Sequence, residues 1–103
     1  MATRVLVGKR SIVQEGEFIN VTLGGRQILL ANIQGRYFAT GNTCTHEGAE
    51  LHKGRIHNKE LTCPWHGAKW DLTTGQLIWF REFLEPVGSY RVIIEDDTLF
   101  VEI

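Results

Sequence analysis

Cys44-Thr45-His46 and Cys63-Pro64-Trp65-His66 are the stretches on which the reading of this chain turns. Residues 47 to 62 separate them. Each stretch supplies one thiolate and one imidazole. Together they make the ligand inventory of a [2Fe–2S] centre in which two His replace two Cys on one iron. Zinc accepts the same four donors in a tetrahedral site, but its usual pattern groups two Cys in one knuckle and two His in another. The mixed pairs fit two irons better, with Cys44 and Cys63 on an inner iron and His46 and His66 on an outer one. Ligands two or three positions apart in one loop stay within a few ångströms, since consecutive Cα atoms are about 3.8 Å apart. Each pair runs into glycine, as His46-Glu47-Gly48 and His66-Gly67. Glycine lets the backbone approach closely, so that amide N–H groups can point at the sulfides. Pro64 biases Cys63 toward an extended conformation.

Outward from these loops the pattern is strand, turn, strand. Arg4–Val7, Glu17–Leu23, Arg26–Ile33 and Arg36–Thr40 read as strands on one side of the loops, and Tyr90–Glu95 and Thr98–Ile103 on the other. Gly24-Gly25 is a two-residue hairpin signal, because glycine tolerates the positive φ such turns need. Gln34-Gly35 and Asp96-Asp97 mark further turns. Between them, Arg55–His57, Glu60–Thr62 and Ala68–Leu72 read as short strands punctuated by Asn58-Lys59 and Thr74-Gly75. No stretch sustains a 3.6-residue period, and no internal repeat stands out. The expectation is an all-β, antiparallel fold in a single domain, 1–103. A small ligand-carrying β subdomain, about 41–82, is inserted into a scaffold of about 1–40 and 83–103.

The totals remove several classes of function. A net charge of −1 and a pI near 6.4, with scattered Lys and Arg, give no electrostatic case for nucleic acid or anionic lipid. Apolar runs such as Leu77-Ile78-Trp79-Phe80 are too short to span a bilayer. The N-terminal residues lack the apolar stretch of a signal peptide. Both Cys of the chain lie in the ligand pairs, which fits a reducing, cytoplasmic location. No nucleophile–base pair and no phosphate-binding glycine loop is present. A carrier fits better than a catalyst.

The ligand pattern, Cys-x-His then Cys-x-x-His at this gap, resembles that of Rieske proteins. The resemblance runs over the whole chain and implies one Rieske [2Fe–2S] cluster held by Cys44, His46, Cys63 and His66. Leu84-Glu85-Pro86-Val87 is similar to the proline-containing loop that covers the cluster in that family. Similarity to the stand-alone ferredoxins of oxygenase systems implies a flavin-dependent NAD(P)H reductase as donor and a Rieske oxygenase as acceptor. A reductase accessory subunit and a non-redox zinc module are the rival readings.

Other residues invite roles of their own. His52 and His57 are spare imidazoles, more simply read as surface or strand-face residues. Trp65, Trp70, Trp79, Phe80 and Phe83 are read as packing around the cluster, with Trp65 best placed for function. Glu47 and Glu50 read as solvated loop carboxylates. Respiratory Rieske subunits carry an extra Cys in each loop; Ala49 and Trp65 stand in those places here. Ala68 and Trp70 stand where those subunits carry Ser and Tyr donors to cluster sulfur. Such hydrogen bonds favour the reduced state. Their loss predicts a midpoint potential near the bottom of the roughly −150 to +300 mV Rieske range; potentiometry well above about 0 mV would contradict it.

Overall fold

The computed structural model describes residues 3–45 and 48–103. Ten strands are present: β1 Arg4–Lys9, β2 Phe18–Leu23, β3 Arg26–Ile33, β4 Arg36–Gly41, β5 Arg55–His57, β6 Glu60–Thr62, β7 Lys69–Asp71, β8 Leu77–Trp79, β9 Ser89–Glu95 and β10 Thr98–Glu102. Every pairing is antiparallel. Two single 3₁₀ turns, Arg10–Ile12 and Leu51–Lys53, complete the described regular structure.

The strands form two sheets. A six-stranded sheet runs β1-β10-β9-β4-β3-β2, and a four-stranded sheet runs β5-β6-β7-β8. The larger sheet takes its strands from both chain ends, while the smaller comes from the middle. Its edge strands β1 and β2 come back together, so the large sheet curls on itself. All six of its strands line one apolar cluster inside that curl, with Val13, Ile28, Leu30, Leu99 and Val101 at its centre.

β3 explains how the two sheets stack. Strand side chains alternate between faces, and Ile28 through Asn32 are buried without a break. Ile28 and Leu30 point into the curl. Leu29 and Ala31 point the other way, into a second cluster with Leu61, Trp70, Leu72 and both Cys. A strand buried on both faces reads as a continuous apolar run, which Ile28-Leu29-Leu30-Ala31 is. The curled sheet is thus the floor on which the ligand-carrying sheet stands.

The hairpins lie where the sequence places them. Gly24-Gly25, with φ of +57° and +78°, closes β2–β3. Asn58-Lys59 closes β5–β6, also at positive φ. β8 departs from expectation, being only an apolar run in the sequence. It is a three-residue edge strand with Ile78 and Trp79 about half exposed, so it lacks the inside–outside alternation that marks a strand.

The turn between β7 and β8 fixes the position of the segment that follows. The Asp71 carboxylate accepts from the Thr73 amide and hydroxyl. The hydroxyl bond is the larger influence holding its pKa below the ordinary value. Gly75 donates to Asp71 O at 2.7 Å and accepts from Val87 N at 2.9 Å. Its φ is +74°, and a Cβ there would lie 2.3 Å from Gly88 O. Backbone against backbone leaves no flexible side chain to yield. Gly75→Ala is therefore expected to cost at least about 1–3 kcal/mol; unchanged denaturation midpoints would contradict this close approach.

Candidate metal centre

The two ligand loops are copies of one backbone design. Cys44 N–H donates to Ala49 O at 2.9 Å, and Gly48 N–H returns to Cys44 O at 2.8 Å. In the second loop Cys63 N–H donates to Ala68 O at 2.8 Å, and Gly67 N–H to Cys63 O at 3.3 Å. Gly48 and Gly67 have φ of +78° and +76°. Thr43 bridges Glu50 across the mouth of the first loop, as Thr62 pairs with Lys69 across the second. Each loop is a hairpin tip reading Thr-Cys-x-x-x-Gly-Ala.

This short repeat corrects the reading that no repeat exists. Aligning on His hides it, because His46 stands two places after its Cys and His66 three. Aligning on Gly-Ala exposes it. The Gly48 and Gly67 amides have a structural task of their own. They close the loops on the Cys carbonyls, and the positive φ that L side chains rarely adopt is what calls for glycine.

Cys44 and Cys63 come together in the apolar cluster between the sheets, at 2% and 3% exposure. They form no disulfide. His66 is exposed on the second loop. His46 and Glu47 lie outside the described residues. Among the described residues no three His, Cys, Asp or Glu side chains converge as on a single metal ion.

Two braces hold the first loop. Beneath it, Asn42 is 1% exposed, and its Nδ2 donates to His52 Nδ1 at 3.0 Å. Asn42 Oδ1 accepts from the His52 amide at 2.8 Å. His52 is thus a strut whose Nδ1 is engaged. His57 is exposed at the far end of β5 against Asn58. Above it, the Thr45 hydroxyl donates to Glu85 O at 2.7 Å. That bond ties the Leu84–Val87 segment to the ligand loop. Gly41 N–H to Gly88 O at 3.4 Å and Leu84 at 7% exposure anchor the same segment from below.

The aromatic residues divide. Trp70 is fully buried and Phe80 partly so, against the same cluster. Trp65, Trp79 and Phe83 are 59%, 57% and 77% exposed, so the expectation that all five pack around the centre fails for these three. Glu50 is exposed and pairs with Lys53 at 2.8 Å, a contact that lowers its pKa.

The residues present fit a two-iron group on two observations. The donor set splits into buried sulfur and exposed imidazole, as two differently liganded irons need. Trp70 Nε1 is buried with no protein partner, although a buried N–H seldom lacks an acceptor.

The comparisons with known proteins agree. The family model for the Rieske [2Fe–2S] domain matches residues 3–91. The ferredoxin component of the naphthalene 1,2-dioxygenase system of Pseudomonas aeruginosa is 29% identical over 88% of this chain and 86% of its own. The ferredoxin of carbazole 1,9a-dioxygenase from Nocardioides aromaticivorans IC177 superposes with a TM-score of 0.89 at 26% identity, over 96% of both chains. A complex of reduced oxygenase and oxidised ferredoxin in carbazole 1,9a-dioxygenase contains a chain matching at TM-score 0.84 and 25% identity, over 95% of this chain and 91% of that one.

The relatives matched along most of their length are ferredoxins, and the chain is likewise an iron–sulfur electron carrier rather than an enzyme in its own right. The chain belongs to the Rieske [2Fe–2S] domain family, and carries one Rieske-type cluster.

The tie at Thr45 generates a prediction. Thr45→Val keeps the shape and removes the donor, so it should cost about 1 kcal/mol or less at this exposed site. The loosened cover should let the cluster bleach faster in air than in the parent protein. Equal bleaching rates would show that Leu84–Val87 is held without this bond.

Proposed function

We propose that this chain carries single electrons from a flavin-dependent NAD(P)H reductase to a Rieske oxygenase, with Cys44, His46, Cys63 and His66 as the four cluster ligands. The observation that carries the reading is the gradient of exposure along the second loop. Cys63 is 3% exposed, while Trp65 two residues on is 59% exposed and His66 is exposed beside it.

When bound, the cluster takes up one electron and gives it back. The protein's part is to keep the sulfur side dry and the imidazole side open. Cys44 and Cys63, buried among leucines and alanines, would hold one iron. His66, exposed on the second loop, would hold the other together with His46. Trp65 offers exposed apolar surface on the ligand loop, and Phe83 does so just before the Leu84–Val87 segment. Exposed aromatic side chains are the usual anchors of protein interfaces. Redox encounters bury little area and bind weakly, which suits a carrier that must leave one partner for another.

Support for the acceptor comes from relatives named as ferredoxin components of dioxygenase systems and from the ferredoxin–oxygenase complex. The donor follows from the same resemblance. Among the described residues no helix is long and apolar enough to cross a membrane. A cytoplasmic location is the further part of this proposal, in keeping with two cysteines that must stay reduced.

The test joins spectroscopy to kinetics. Dithionite-reduced protein should give a Rieske EPR signal, and His46→Cys or His66→Cys should each change that signal and the potential. An unchanged spectrum in either variant removes that residue from the ligand set. Trp65→Ala should slow electron delivery to a Rieske oxygenase several-fold in stopped flow, a loss of roughly 1 kcal/mol or more at the encounter. Delivery at the parental rate would move the docking surface elsewhere.

A further inference from the structure

Among the described residues two side-chain atoms are buried without a hydrogen-bond partner, Asn20 Oδ1 and Trp70 Nε1. Asn20 belongs to an amide whose Nδ2 bonds to Gln27 at an exposed contact, close to solvent. Trp70 is different, since its whole side chain is 0% exposed. An N–H left unpaired at such a place forfeits the hydrogen bond it had in water and gains none in return.

Strand register says what surrounds it. Leu61 pairs with Trp70, and Thr62 with Lys69. The bond from Cys63 N–H to Ala68 O carries the same ladder one step further. Cys63 and Ala68 therefore face each other, and Trp70 stands two places beyond Ala68 on the same face. Diagonal neighbours of this kind lie within reach of a large aromatic side chain. Among the side chains of this apolar cluster, only those of Cys44 and Cys63 bear an atom able to accept a hydrogen bond. The buried polar side chains elsewhere are engaged: Asn42 holds His52, Asn32 holds Val13 O and Gly35, and Thr40 holds Gly41 O.

We infer that the Trp70 indole N–H donates to a sulfur atom of the bound two-iron centre, thiolate or sulfide, and raises its reduction potential. The inference rests on the proposed ligand set. Sulfur gains negative charge when the centre is reduced, so a donor aimed at it favours the reduced form. Water is excluded at this depth, and the interaction is stronger for that. On this reading only one of the two sulfur donors is lost. Ala68 supplies none, but Trp70 brings one of its own. Trp70 is a positioning and tuning residue, and the electron does not have to pass through it.

Trp70→Phe keeps the aromatic bulk and removes the N–H. In the cluster-loaded protein the reduction equilibrium should shift roughly tenfold toward the oxidised form, a fall of about 59 mV for one electron. A second measurement leaves Trp70 intact. With Trp65 and Trp79 changed to Phe and the remaining indole labelled with ¹⁵N, pulsed EPR of the reduced protein should show a ¹⁵N coupling and an exchangeable proton lost in D₂O. An unshifted potential in Trp70→Phe, or the absence of both couplings beside an intact Rieske signal, would overturn the inference. A protein with no two-iron signal would instead overturn the ligand set, and this inference with it.

Discussion

Two sulfur atoms sit in hydrocarbon, and the rest of the molecule is arranged around that fact. Cys44 and Cys63 are almost wholly buried among Leu29, Leu51, Leu61 and Leu72. As thiolates they would be negative charges in a medium that solvates them poorly, a costly arrangement unless positive charge stands beside them. Under the proposed ligand set, the iron of the cluster would supply that charge. The dry cluster between the sheets is thus both a core in the ordinary sense and one half of a metal site.

The loops must hold these sulfurs before the metal arrives, and the means are backbone bonds. The Cys amide spans the loop to an alanine carbonyl, and the glycine amide returns to the Cys carbonyl. The same two bonds close both loops, although the three residues inside each differ. Neither tip is supported only by itself. The first rests on Asn42 and His52, and the second continues the β6–β7 ladder. Both stand on β3, whose outward residues end in the same cluster as the sulfurs. Stability of the curled sheet and geometry of the centre are linked through that strand.

Much of this was legible in the sequence, and the parts that were not share a cause. The ligand pairs, the two-residue turns and most strands follow from local chemistry: donor spacing, Gly at positive φ and apolar runs. β8 escaped because an edge strand with Ile78 and Trp79 outward has no alternation to read. The loop repeat escaped because imidazole position draws the eye from the Gly-Ala frame. Exposure of Trp65, Trp79 and Phe83 was also hidden, since residue type alone does not say which aromatic ring a sheet buries. Thr45 holding Glu85 and Gly75 holding Val87 join residues far apart in the chain, and no local pattern announces them.

With the proposed ligands, the division between buried Cys44 and Cys63 and exposed His66 would separate two properties that a carrier must set independently. Potential is governed by charge and hydrogen bonding at the sulfur side, where Leu61 and Trp70 lie and water does not reach. Rate is governed by how closely a partner approaches the imidazole side, where Trp65 stands exposed beside His66. A substitution at the tip can alter recognition while the interior keeps its electrostatics. A substitution beneath the sulfurs can move the potential while the docking surface keeps its shape. A site exposed on all sides would couple the two, because any partner that docked would also change the dielectric around every ligand. Under the proposed ligand set, such an asymmetric grip would let one small fold meet a donor and an acceptor without a change in its potential.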